Sequence, residues 1–88
     1  MPPADRISAL LDEFRSSPSS VRFRDLAKVC EHFFGEPRIS GSSHHVYKTP
    51  WMGDPRVNIQ RDGTMAKAYQ VRQVLAAIDR LASVKEKP

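Results

Sequence analysis

A chain of 88 residues has room for one small domain and not for a second. Apolar residues make up 40 % of it and charged residues 27 %, which excludes a disordered polyelectrolyte and predicts an ordinary folded domain. The single cysteine, Cys30, excludes an internal disulfide, and no apolar run has the length that a signal peptide or membrane span requires, so a cytoplasmic protein is expected.

The formal charge of +4 and the pI near 9.6 fit a polyanionic partner. The charge is unevenly placed. Residues 1–20 carry two arginines against three acids, whereas residues 21–88 carry twelve basic against seven acidic side chains.

Met1 to Ala4 contains two prolines and is expected to be flexible. From Asp5, an acid suited to the positive end of a helix, Ile7, Leu10, Leu11 and Phe14 recur at helical spacing. The apolar stripe of this short helix needs a surface to cover, on this chain or on a partner. Ser16-Ser17-Pro18-Ser19-Ser20 is a breaker and linker, rich in residues that bond their own backbone.

A second helix is predicted from about Phe23–Asp25 to Phe34, with Leu26, Val29, Cys30 and Phe33 on one buried face. Gly35 stands where a left-handed C-terminal cap is expected. Residues 37–40 form a short first strand with Ile39 as its core contact. Gly41 and Ser42 turn the chain, and residues 43–49 form the second strand. The stretch 49–55, with Pro50, Trp51, Gly53 and Pro55, is a hairpin loop, since proline ends ladder pairing. In a third strand, about 56–61, Val57 and Ile59 alternate with Arg56, Asn58 and Gln60. Asp62-Gly63-Thr64 leads out of it. The last helix, about Ala68 to Ala82, has the strongest periodicity of the chain, with Val71, Val74, Leu75, Ile78 and Leu81 in one stripe. Residues 83–88 are expected to fray. The resulting class is α+β, with two helices on one face of a three-stranded antiparallel sheet whose other face is open.

Two imidazoles, His44 and His45, sit side by side in the second strand. Histidine is the side chain whose ordinary pKa lies nearest neutrality, so a fixed one can take or give a proton at cellular pH. Side chains alternate along a strand, which places His44, Val46 and Lys48 on one face and His45 and Tyr47 on the other. If Val46 points into the core, His44 lies on the helix side and needs a cleft beside a helix.

The run Ser43-His44-His45-Val46-Tyr47 resembles the core motif of HicA-type toxins, small ribonucleases of bacterial toxin–antitoxin pairs, in which Gly-Ser-His is followed by two residues and then an aromatic. The order of elements around it supports the resemblance, which covers residues 21–82. It implies a helix, three strands and a helix arranged as in double-stranded-RNA-binding domains. Residues 1–20 are then an added N-terminal helix with its linker, and 83–88 a tail. It further implies a metal-independent endoribonuclease that cleaves mRNA without a cofactor and is neutralised by a cognate HicB-like antitoxin protein, with any oligomer formed through the toxin–antitoxin complex. His44 takes the place of the family's catalytic histidine as general base or acid, with His45 in reserve. One departure stands out: the family has glycine directly before the Ser-His pair, where this chain has Ser42, with Gly41 one position earlier.

RNA cleavage without a metal needs positive charge on the phosphate as well as a base. Arg38, Lys48, Arg56, Arg61 and Lys67 lie on or near the strands and are candidate phosphate contacts, with Ser43 beside the histidines. Each cation taken singly also reads as a solvated surface charge. Tyr47 is a candidate for stacking a base, with cross-strand packing as the alternative. Trp51 is either a partner anchor or a lid folded over the core. Cys30 falls on a core stripe and reads as a small buried hydrophobe, and no spacing of His, Cys and carboxylates completes a metal-ligand set. Two other functions remain open at this level, a non-catalytic RNA-binding module of the same fold and a protein-interaction domain.

Overall fold

The structure, a computed structural model, describes residues 3–40, 44–49 and 56–86. In chain order these form α1 (Pro3–Ser16), one 3-10 turn (Pro18–Ser20), α2 (Phe23–Phe34), β1 (Arg38–Ser40), β2 (His44–Tyr47), β3 (Val57–Asp62), β4 (Met65–Ala66) and α3 (Ala68–Glu86). The strands make one antiparallel sheet in the order β1-β2-β3-β4. The class is therefore α+β with three helices and four strands. Among the described residues no helix is long and apolar enough to cross a membrane.

The stripe of α1 is covered by this chain itself. Phe14 is buried, and Ile7, Leu10 and Leu11 pack against the same cluster that holds the apolar faces of α2 and α3. An exposed ion pair, Arg15 to Asp79 at 2.9 Å, ties the last turn of α1 to α3. Pairs of this kind contribute about 0–1 kcal/mol, so the buried stripe is what holds the helix in place.

The expected span of α2 holds, with Phe23, Leu26, Ala27, Val29 and Cys30 buried. Its end differs in detail from the expected cap. The Gly35 N–H donates to the Glu31 carbonyl at 3.0 Å, but its φ of 88° comes with a ψ of −165°. That is the extended positive-φ region, open essentially only to glycine, rather than the left-handed helical one.

β4 has no counterpart in the sequence reading, because a two-residue strand shows no alternation. Gly63, at φ 65°, opens a two-residue turn that brings Met65 and Ala66 back beside Asp62 and Arg61. The other edge of β4 is taken by the end of the serine-rich linker, where the Ala66 N–H donates to Val21 O at 2.8 Å and the Phe23 N–H to Thr64 O at 3.0 Å. Two further expectations are corrected. Ile39 is 59 % exposed rather than a core contact, since β1 is the outer strand and pairs only with β2. Residues 83–86 continue α3 beyond the expected end at Ala82. The turn 41–43 and the loop 50–55, with Ser43 and Trp51, lie outside the described residues.

The sheet has one dry face and one wet face. Tyr47, Val57 and Ile59 are buried against the helices. His44, Lys48 and Asn58 are exposed, and Val46 and Gln60 half-buried, on the opposite side. The start of α3 is fixed beside the outer edge of β3, where the Gln60 N–H donates to Gln70 Oε1 at 2.7 Å.

Candidate functional site

The register of β2 decides where each histidine goes. Tyr47 pairs with Val57 and His45 with Ile59, both partners being core residues, while His44 pairs with Gln60 and Val46 with Asn58. Val46 therefore does not point into the core, and the conditional placement of His44 on the helix side is corrected: His45 occupies that side. A large aromatic outweighs valine for the buried position because it removes more apolar surface from water.

His44 stands exposed on the open face, between Ser40 of β1 and Gln60 of β3. Arg38, opposite Val46, is on the same face. Lys48 and Arg56, just outside the strands and also exposed, continue that face by alternation. Lys67 reaches toward it from the other edge, its Nζ 3.4 Å from Gln60 Oε1. Arg38, Lys48, Arg56 and Lys67 thus lie on or reach toward the open face, with Lys48 and Arg56 about 13 Å along the strands from His44, and Arg61 is on the far side of the sheet.

His45 lies half-buried in the cleft where the sheet meets the first turns of α2. Its ring meets Phe23 edge-on, with centroids 4.9 Å apart and planes at 86°. The Arg61 guanidinium covers the same phenyl ring at 5.0 Å from its centroid. Burial pushes the imidazole below its ordinary pKa of 6.5, the positive charge of Arg61 pushes in the same direction, and Glu31 opposes both. The neutral, proton-accepting form is the one favoured near pH 7.

Tyr47 closes the back of the cleft. Its hydroxyl is 3.5 Å from the Ala27 carbonyl oxygen and 3.5 Å from His45 Nδ1, both long contacts. A hydroxyl has one proton, and a carbonyl only accepts. When Tyr47 donates to Ala27, His45 must donate from Nδ1, and its Nε2 lone pair is left to accept a proton. Burial, then the neighbouring Cys30 and Glu31, push the Tyr47 hydroxyl well above its ordinary pKa, so it stays protonated. The ring is 0 % exposed and offers no face to a base, so the stacking role is corrected to cross-strand packing. Burial likewise raises the Cys30 thiol far above its ordinary value and keeps it inert, as the core reading anticipates.

The sequence reading did not single out Phe23 or Glu31 for this site. The available signal was their spacing, since Phe23, Ala27 and Glu31 follow one another at four-residue intervals and line one edge of α2. Compared with known proteins, this chain is matched by no family model, no curated protein and no solved structure.

Proposed function

We propose that the chain is a HicA-like toxin, a metal-independent endoribonuclease that cuts mRNA and is held inactive by a cognate antitoxin. The order α2, β1, β2, β3, α3 supports the double-stranded-RNA-binding-domain-like arrangement, to which α1 and the short β4 are additions. The observation that carries the reading is the His45 cleft, where one imidazole has a partner to orient it, surroundings that keep it neutral and a guanidinium close by. On this reading the proton-transfer role belongs to His45 rather than to His44.

The reaction is attack of a ribose 2′-oxygen on its own phosphate. His45 Nε2 takes the 2′-hydroxyl proton as the new bond from that oxygen to phosphorus forms. The bond to the 5′-oxygen breaks, and that oxygen receives a proton from the imidazolium. Arg61 stabilises the charge that builds on the phosphoryl oxygens. The open-face cations, Arg38, Lys48, Arg56 and Lys67, hold the flanking backbone. An antitoxin inhibits by covering the cleft.

The test expresses wild type, His44→Ala and His45→Gln in cells lacking an antitoxin and follows growth and mRNA integrity. Arrest with cleavage is expected for wild type and His44→Ala, and a loss of about 100-fold or more for a folded His45→Gln. Cleavage lost only in His44→Ala moves the chemistry to the open face. If no protein cleaves while RNA binding persists, the chain is a binding module.

A further inference from the structure

The outer edge of β3 is closed at one end and open at the other. β2 pairs with Val57 to Gln60 on one side, and β4 takes only Arg61 and Asp62 on the other. At Gln60 the outward N–H is satisfied by Gln70 of α3, which acts as a substitute strand. Peptide groups along a strand point alternately to its two edges, so Asn58 turns its N–H and C=O the same way as Gln60.

From Gln70 onward α3 runs alongside β3, since ten helical residues advance about 15 Å and four strand residues about 13 Å. The helix stripe that meets the strand reads Gln70, Gln73, Ala77, Arg80. Where Gln70 fills the gap, the alanines further along leave a groove of about 460 Å³. Its floor is Val57, Ala76 and Ala77, with Asn58 and Gln73 as polar groups. Arg56 and Arg80, each also engaged in a contact of its own, bring positive charge to the far end.

We propose that this groove takes an extended acidic peptide segment of a partner protein, laid beside β3 with its backbone paired to Asn58 and its carboxylates toward Arg56 and Arg80. An apolar floor beside a strand edge that, among the described residues, no further strand covers suits added-strand recognition, in which main-chain bonds give affinity and side-chain pockets give selectivity. Among the described residues the lining holds no aromatic ring on which a nucleic-acid base would stack. The groove shares no residue with the His45 cleft and only Arg56 with the cations assigned to RNA, so Arg80 and the strand edge carry the proposal whether or not the ribonuclease reading stands.

The probe is a blocked hexapeptide of alternating Val and Asp, titrated into the isotope-labelled full chain and followed by amide chemical shifts. Saturable shifts are expected at Asn58, Gln73, Ala76 and Ala77. Ala77→Gln, which fills the alanine floor beside Val57, should weaken binding at least tenfold. Arg80→Glu, at an exposed position, should do the same and keeps the test decisive if Ala77→Gln unfolds. The proposal is overturned by no saturable shifts at millimolar peptide, by shifts elsewhere, by equal binding of a Val and Lys hexapeptide, or by indifference to both substitutions. Tighter occupation of the same amides by a short oligoribonucleotide would also overturn it, assigning the groove to nucleic acid.

Discussion

His44 and His45 are neighbours in sequence and occupy opposite environments. On the open face His44 stands exposed, on the side of the sheet that carries Arg38 and Lys48, while on the helix side His45 is wedged between Phe23, Tyr47 and Arg61. The two rings differ by a single step along a strand whose side chains alternate with a period of two. Chemistry that needs an oriented, desolvated base is available on one side only. The other side offers what a polyanion needs, which is accessible positive charge.

The comparison is most directly broken through Tyr47, whose ring anchors the register. Tyr47→Ala should cost about 3–5 kcal/mol, the usual range for deleting a buried aromatic, whereas Lys48→Ala on the wet face should stay within about 0.5 kcal/mol. Urea denaturation reads both. A benign Tyr47→Ala would mean that β2 is turned the other way. Tyr47→Phe keeps the ring and removes the hydroxyl, at about 0.5–1.5 kcal/mol. It should lower mRNA cleavage by more than that stability loss explains, because His45 loses the group that orients Nδ1.

How far the sequence shows this follows from the same geometry. The stripes of α2 and α3 span several turns and are legible from spacing alone, and Val57 and Ile59 reveal β3 in the same way. β4 is too short to show a period, and its pairing with the Val21–Phe23 stretch joins residues far apart in the chain. The split of the two histidines onto opposite faces is legible as well. Which face is dry is not, because Val46 and Tyr47 both suit a core and only the partners across the ladder decide between them. Tyr47 thereby moved from candidate base platform to packing residue, and Ile39 lost its core role because an outer strand has no second neighbour to cover it. The cleft itself joins Phe23 of a helix start to Arg61 of a strand end, a proximity that no local pattern encodes.

A pH titration sharpens the comparison at smaller amplitude. The His45 pKa in the folded chain lies below its ordinary 6.5, so on acidification the unfolded chain takes up the proton first. The stability this contributes is fully present above about pH 6.5 and is lost as pH falls through the folded value. The urea midpoint should therefore drop between about pH 7.5 and about pH 5.5, a window above the ordinary carboxylate range. His45→Gln should flatten that drop. A drop that persists unchanged in His45→Gln would show that the burial of this ring does not set it.

The smallest effects belong to the open face and appear in salt dependence rather than in stability. For single-stranded RNA, each phosphate contact adds about −0.7 to the slope of log affinity against log salt. Arg38→Ala and Lys48→Ala should each make that slope shallower by about this amount, measured by fluorescence anisotropy on a short oligoribonucleotide. Both side chains are exposed, so thermal unfolding should barely move. Arg61→Ala differs in kind: it removes the cation beside His45, so the His45 pKa should rise toward its ordinary value while the salt slope changes no more than for one contact. If instead Arg38 and Lys48 leave the slope untouched and Arg61 carries all of it, the RNA backbone runs along the helix-side cleft and the wet face serves only solubility.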